Sequence, residues 1–219
     1  MDYEKKTISI GNINYCDSNG SPVPKEKFDE EREKFQEYVG KRYEEEMLSL
    51  IEVVPENGSE TEKLSSVFDY LLGKIAYDHD QIQNSDGTIS TKIYNIYNNW
   101  GVEPNSKFAP LLTGKGICEG IAPMIDDICS RIGIESKVIT GVTKIIDSEK
   151  GTRLQHAWNI VKIGDDYKHL DLVYAMYNLE DGKDPYDYFL VDDEKLSSVV
   201  PHSYYEDQIP SVTKKGGNL

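Results

Sequence analysis

Gly114-Lys115-Gly116-Ile117-Cys118-Glu119-Gly120-Ile121-Ala122 is a glycine-punctuated turn that hands one cysteine to the start of an apolar segment. Beyond it, Ile121, Met124, Ile125, Ile128 and Ile132 recur at intervals of three and four, the spacing that gives a helix one apolar stripe. The pattern predicts a helix running to about Ile132 with Cys118 in its first turn. Unpaired backbone N–H groups and the macrodipole at that end favour an anion, a thiolate included. Cys118 is therefore the candidate nucleophile, in a setting suited to acyl transfer.

Upstream of the turn the patterning is helical. Lys25 to about Val53 is densely charged, and Phe28, Phe35, Tyr38, Val39, Met47, Leu50 and Ile51 form a stripe along it. This predicts a long amphipathic helix, with Gly40 as the place for a break. Ser59 or Thr61 caps a second helix bearing Leu64, Val67, Phe68, Leu71, Leu72 and Ile75. A short helix is expected from Ser90 or Thr91 through Trp100, followed by loop from Gly101 to Thr113. Thr7 to Ile10 is strand-like.

Downstream the signals change to strands: Lys137 to Val142, His156 to Lys162, Tyr167 to Tyr174, and Tyr186 to Val191. Gly164-Asp165-Asp166 joins the middle two as a hairpin. Helices first and strands later predict an α+β fold, with N-terminal helices packed on an antiparallel sheet and the nucleophile at the start of a central helix. The expected organisation is a packed extension over 1–58, a catalytic core over 59–210 and a flexible tail over 211–219.

The 219 residues carry a net charge of −15, which repels phosphate backbones and anionic lipid surfaces, so neither nucleic acid nor membrane insertion is expected. The same charge biases encounters towards amine-bearing or basic partners. No apolar run approaches the ~20 residues of a membrane helix, and Met1-Asp2-Tyr3-Glu4 does not open a signal peptide. As it stands the chain reads as cytoplasmic; removal of a leader would make it secreted. Its 3 cysteines, an odd number, argue against a disulfide framework. Cys118 and Cys129 lie about three turns apart on one helix, beyond disulfide reach. Cys129 reads as a core thiol and Cys16 as a loop thiol.

A cysteine nucleophile needs a base, and the base needs a group to fix its tautomer. His156 begins one strand of the hairpin and Asp171 lies on the returning strand. With an even-numbered loop the two share a face, and a loop over 163–166 places them diagonally. His169 is the rival base. It shares that face, but i and i+2 side chains stand ~6.5–7 Å apart and do not readily hydrogen-bond. His79, between Asp78 and Asp80, reads as a solvated loop residue. The four histidines and three cysteines form no paired zinc-ligand motif. No Gly-x-Ser-x-Gly elbow, EF-hand, nucleotide or flavin signature occurs, so no cofactor is expected.

The motifs Gly116-Ile117-Cys118-Glu119-Gly120-Ile121-Ala122, Gly133-Ile134, Val138, Gly141, His156-Ala157-Trp158-Asn159 and His169-Leu170-Asp171, in that order, resemble the bacterial transglutaminase-like superfamily. The resemblance runs from about Leu64 to Leu196. It includes Tyr77-Asp78 before the cysteine and Tyr188-Phe189-Leu190-Val191 as a closing strand. It implies a papain-like fold and a Cys-His-Asp triad: Cys118 as nucleophile, His156 as general base and acid, Asp171 as orienting carboxylate. One departure stands out, because Asp171 is followed by Leu172-Val173-Tyr174 where family members commonly carry threonine and tryptophan. The backbone N–H of Cys118 is a natural oxyanion donor, with Trp100, Asn105 or Gln155 open as a second.

The expected function is thiol-dependent acyl transfer on protein or peptide amide groups through a Cys118 thioester. A lysine amine resolves that thioester into a cross-link, and water resolves it by deamidation or peptidase-type hydrolysis. The alternative is a catalytically silent, protein-binding module of the same fold.

Overall fold

The computed structural model describes residues 16, 17, 19, 21–83, 89–91, 93–97, 100–144, 153–200 and 202–204. The strand expected at Thr7 to Ile10 and the tail after Pro210 lie outside them.

Helix α1 (Lys25–Ile51) is continuous through Gly40, contrary to the expected break. A glycine costs about 1 kcal/mol against alanine inside a helix, less than the burial of Val39, Tyr43, Met47 and Leu50 on the same helix returns. Helix α2 (Glu60–Lys74) starts at Ser59, whose hydroxyl accepts the Glu62 N–H while the Glu62 carboxylate accepts the Ser59 N–H, a reciprocal cap. Leu64, Val67, Phe68 and Leu71 form its buried stripe.

The next stretch corrects the sequence reading. Two short strands follow α2, β1 (Ala76–Tyr77) and β2 (Gln81–Gln83), and where a helix was expected over 90–100 the described residues form β3 (Ile89–Thr91), β4 (Tyr94–Tyr97) and β5 (Trp100–Val102). Strands β4 and β5 pair as an antiparallel hairpin. Their aromatic residues suit strands and pack on α1, Trp100 against Phe28 and Phe35 at 5.6 and 5.5 Å between ring centres. The expected loop after Gly101 also contains a short helix, α3 (Ala109–Thr113).

Strand β6 (Lys115–Gly116) runs parallel to β1 and leads into α4 (Cys118–Arg131). Ile121, Met124, Ile125 and Ile128, the expected stripe, are all buried. Strands β7 (Ser136–Lys144), β8 (Arg153–Ile163) and β9 (Asp166–Leu170) follow. Ile163 pairs with Asp166 across the turn, and Gly164 at φ 61 supplies the left-handed residue such a tight turn needs. The strand expected to reach Tyr174 stops at Leu170. Asp171 accepts the Tyr174 N–H through its side chain and starts α5 (Leu172–Glu180), because an aspartate with a free carboxylate caps a helix well.

Pro185–Tyr188 forms a 3-10 turn where a strand was expected, capped by Asp184. Then come β10 (Phe189–Val191), α6 (Asp193–Val199) and β11 (His202–Tyr204). The main sheet is antiparallel with order β10-β9-β8-β7-β11. Helix α4 lies against β7 and β8. Helix α2 reaches the sheet edge through Phe68 on Phe189, 4.8 Å between rings. Helix α1 does not lie on the sheet as expected but ties to α4: Arg131 makes a two-point ion pair with Glu44 at 2.8 and 2.6 Å. No described helix is long and apolar enough to cross a membrane.

Candidate active site

Cys118 is the first residue of α4 and 8% exposed. Its approach is tightly defined. The Ile117 N–H donates to the Pro104 carbonyl at 3.0 Å, and a Cβ on Gly120 would stand 2.5 Å from that same oxygen and 2.8 Å from the Ser106 carbonyl. Only glycine lets the 104–106 loop come so close. No side chain caps the helix at Ile117, and the Gly120 and Ile121 N–H groups donate to the Ile117 carbonyl at 2.9 Å, which leaves those of Cys118 and Glu119 as the first-turn donors without a side-chain cap.

Alternation along β8 sorts the neighbouring side chains. Ala157 and Val161 join the core around α4, and the Asn159 amide donates to the Ala122 carbonyl of α4 at 2.9 Å. His156, Trp158 and Ile160 turn the other way. Strand β9 ends opposite Asn159, leaving that flank of β8 beside His156 to the start of α5. There His156 Nε2 meets Asp171 Oδ2 at 2.8 Å. The turn is tighter than the 163–166 loop for which the diagonal was expected, but Lys162 still pairs with Tyr167, so the register puts residue 171 two positions from 156, on the same face. Cys118 lies close enough to the ring to favour its charged form. With Nε2 on Asp171, Nδ1 is the nitrogen left for the thiol.

Electrostatics reinforce this arrangement. Burial opposes the charged form of His156, but the Asp171 carboxylate and the Cys118 contact outweigh it and push the imidazole up to about 10. Burial also opposes ionisation of Asp171, yet His156 and His202 hold its carboxyl well below the usual range. Three tyrosines lie within electrostatic reach of the thiol. Burial and the nearby Cys118 push Tyr77 up to about 12, and Tyr174 and Tyr177 are raised by burial first, with Cys118 contributing. All three stay neutral at ordinary pH. Cys129, by contrast, is a core thiol pushed up to about 12 by burial.

His169, the rival base, belongs to a different network. Its Nδ1 accepts the Trp158 indole N–H at 3.1 Å, so Nε2 carries the proton that meets Asp193 Oδ1 at 2.8 Å. Neither nitrogen is free for a thiol. His79 is largely exposed beside Glu180, as expected of a solvated loop residue. Among the oxyanion candidates, Trp100 is engaged on α1, and Gln155 lies on the opposite face of β8 from His156. Asn105 sits exposed in the loop that touches Gly120.

His202 is the residue sequence reasoning missed. Its Nε2 lies 3.1 Å from the same Asp171 Oδ2, and its Nδ1 donates to the Val200 carbonyl at 2.7 Å. A lone histidine far along the chain offered no spacing signal; only the pairing of β11 with β7 brings it in. Donor atoms of His156, Asp171 and His202 lie within 4.8 Å of one another, close enough for metal ligands. However, both imidazoles point at one carboxylate oxygen rather than at a shared centre, which is hydrogen-bond geometry and not a coordination shell.

A buried imidazole bonded to a buried carboxylate thus lies near a cysteine at a helix N-terminus. The sequence model of the Transglutaminase-like superfamily matches residues 51–172, more than half of the chain. The protein belongs to that superfamily. A solved structure described as the crystal structure of a TGase matches with 16% identity and a TM-score of 0.37, covering 68% of this chain. The chain spans about a third of that protein's length. No curated protein gives a significant match.

Proposed function

We propose that the protein is a thiol acyltransferase acting on amide groups of proteins or peptides, with Cys118 as nucleophile, His156 as base and acid, and Asp171 as the orienting carboxylate. The observation that carries this reading is the buried His156–Asp171 bond at 2.8 Å, with Cys118 near it at the start of α4. Helix α4 supplies a position where a thiolate is stabilised, and Asp171 fixes the ring and balances its charge.

The Cys118 thiolate attacks the amide carbonyl, forming a C–S bond, while backbone N–H groups at the start of α4 receive the developing oxyanion. The C–N bond breaks as the imidazolium of His156 gives its proton to the departing amine. The resulting thioester is attacked by water or by a second amine, whose proton passes to His156 as the thiolate leaves. Water yields deamidation or hydrolysis, and a lysine amine yields a cross-link. On this reading residues 59–210 are the catalytic core and 1–58 a packed extension.

The test pairs an amine-incorporation assay with a peptide-cleavage assay on one preparation, with Cys118→Ala as control. Either activity, lost in the variant, supports the reading; activity that survives Cys118→Ala removes it. A folded wild type inert in both assays favours the silent binding module.

A further inference from the structure

One buried ionisable group that this mechanism leaves unused is His202, in the short edge strand β11 and beyond the 51–172 stretch that matches the superfamily. Its side chain is 1% exposed, as is that of Asp171. Both ring nitrogens face oxygens that only accept: the Val200 carbonyl at 2.7 Å and the Asp171 carboxylate at 3.1 Å. For both contacts to be hydrogen bonds, both nitrogens must carry hydrogen, which makes the ring an imidazolium. Around it stand Tyr174 of α5 at 5.2 Å, and His156 and Trp158 of β8 at 5.9 and 5.0 Å between ring centres. Asp171 is the anion that this set presents to it.

We infer that His202 is a positioning residue for the Cys118–His156 pair, a cationic clamp that holds the Asp171 carboxylate in place and shares its charge with His156. The inference rests on the function proposed above. Oδ1 of Asp171 is fixed by the Tyr174 N–H at 3.1 Å, and Oδ2 receives both imidazoles, so the carboxylate is held from three sides. The strand carrying His202 fits because residue 141 is glycine: a Cβ there would stand 2.2 Å from the Ser203 carbonyl and 2.8 Å from the Trp158 ring. A positive charge behind Asp171 reaches the Cys118–His156 pair through that carboxylate and favours the charged pair over the neutral one.

Two measurements decide it. In the wild type, nitrogen-15 NMR of the imidazoles, assigned among four histidines by single substitutions, should show His202 doubly protonated at neutral pH. A His202 with one bare nitrogen overturns the inference without any variant. The second is the rate of Cys118 alkylation by iodoacetamide against pH, which needs no turnover. His202→Gln keeps a donor near Asp171 but no charge, and should move the acid limb upward by roughly one pH unit. His202→Phe should show the same shift and also lower the plateau. A limb unmoved in folded His202→Gln, with the wild-type Cys118 still fast, defeats the clamp and leaves the proposed function standing. A wild-type Cys118 that alkylates no faster than Cys16 and Cys129 defeats the function itself.

Discussion

Two buried histidines on neighbouring strands make the same bond to an aspartate and yet stand in different chemical situations. His156 meets Asp171 at 2.8 Å and His169 meets Asp193 at 2.8 Å. The difference lies in what surrounds each pair. Asp171 is buried, with the side chain 1% exposed, whereas Asp193 is 51% exposed and also accepts from the Tyr204 hydroxyl. The second nitrogen of His156 is left for Cys118, while that of His169 is occupied by the Trp158 indole. A His–Asp bond alone therefore does not mark a catalytic base. The free nitrogen and the desolvated carboxylate do.

The sharpest test of this contrast is to remove each ring. His156→Gln should lower acyl transfer by about 10² to 10⁴-fold, the range for a general acid–base residue, measured as kcat/KM in whichever of the two assays reports activity. Asp171→Asn should fall in the same range, because the wrong tautomer is then favoured. His169→Leu should leave kcat/KM within a factor of a few and instead destabilise the fold by about 1–3 kcal/mol, since the Trp158 N–H loses its acceptor in the core. Urea unfolding reads that loss. Abolished activity in a well-folded His169→Leu protein would break the comparison.

Stability against pH separates the pairs next. The His156 imidazole is raised from 6.5 to about 10 in the fold. Its contribution is complete below 6.5 and is lost as pH climbs towards 10, because the unfolded chain releases the proton first. Asp171, with its carboxyl lowered from 3.8, contributes above that value and loses its contribution in acid. The melting temperature of the wild type should decline between pH 6.5 and 10 more steeply than that of His156→Gln; parallel curves would contradict the coupling. The smallest effect is expected from Asp193→Asn. Its exposed carboxylate is screened by solvent, so less than about 1 kcal/mol should be lost in the same urea experiment.

The parts of this arrangement that rest on local pattern were legible in the sequence. The stripe from Ile121 to Ile128 placed α4, Ser59 was one of the two caps open for α2, and the Gly164 turn put His156 and Asp171 on one face of the hairpin. What escaped depends on tertiary contact. Asp171 reads as strand in the sequence because Leu172, Val173 and Tyr174 suit one, yet its carboxylate caps a helix and bonds a histidine at once. Strands β4 and β5 pair as a hairpin because α1 offers an aromatic surface to pack on. His202 enters only through an edge pairing some sixty residues distant, His202 against Thr143, which no local spacing encodes.

The central claim is that His156 activates Cys118, and the three cysteines of the chain provide its own controls. Each is labelled with iodoacetamide at neutral pH, followed residue by residue by mass spectrometry, in the wild type and in His156→Gln. The account predicts that Cys118 reacts much faster than Cys16 and the buried Cys129, and that the substitution closes the gap. Equal, slow labelling of all three cysteines in the wild type would contradict it.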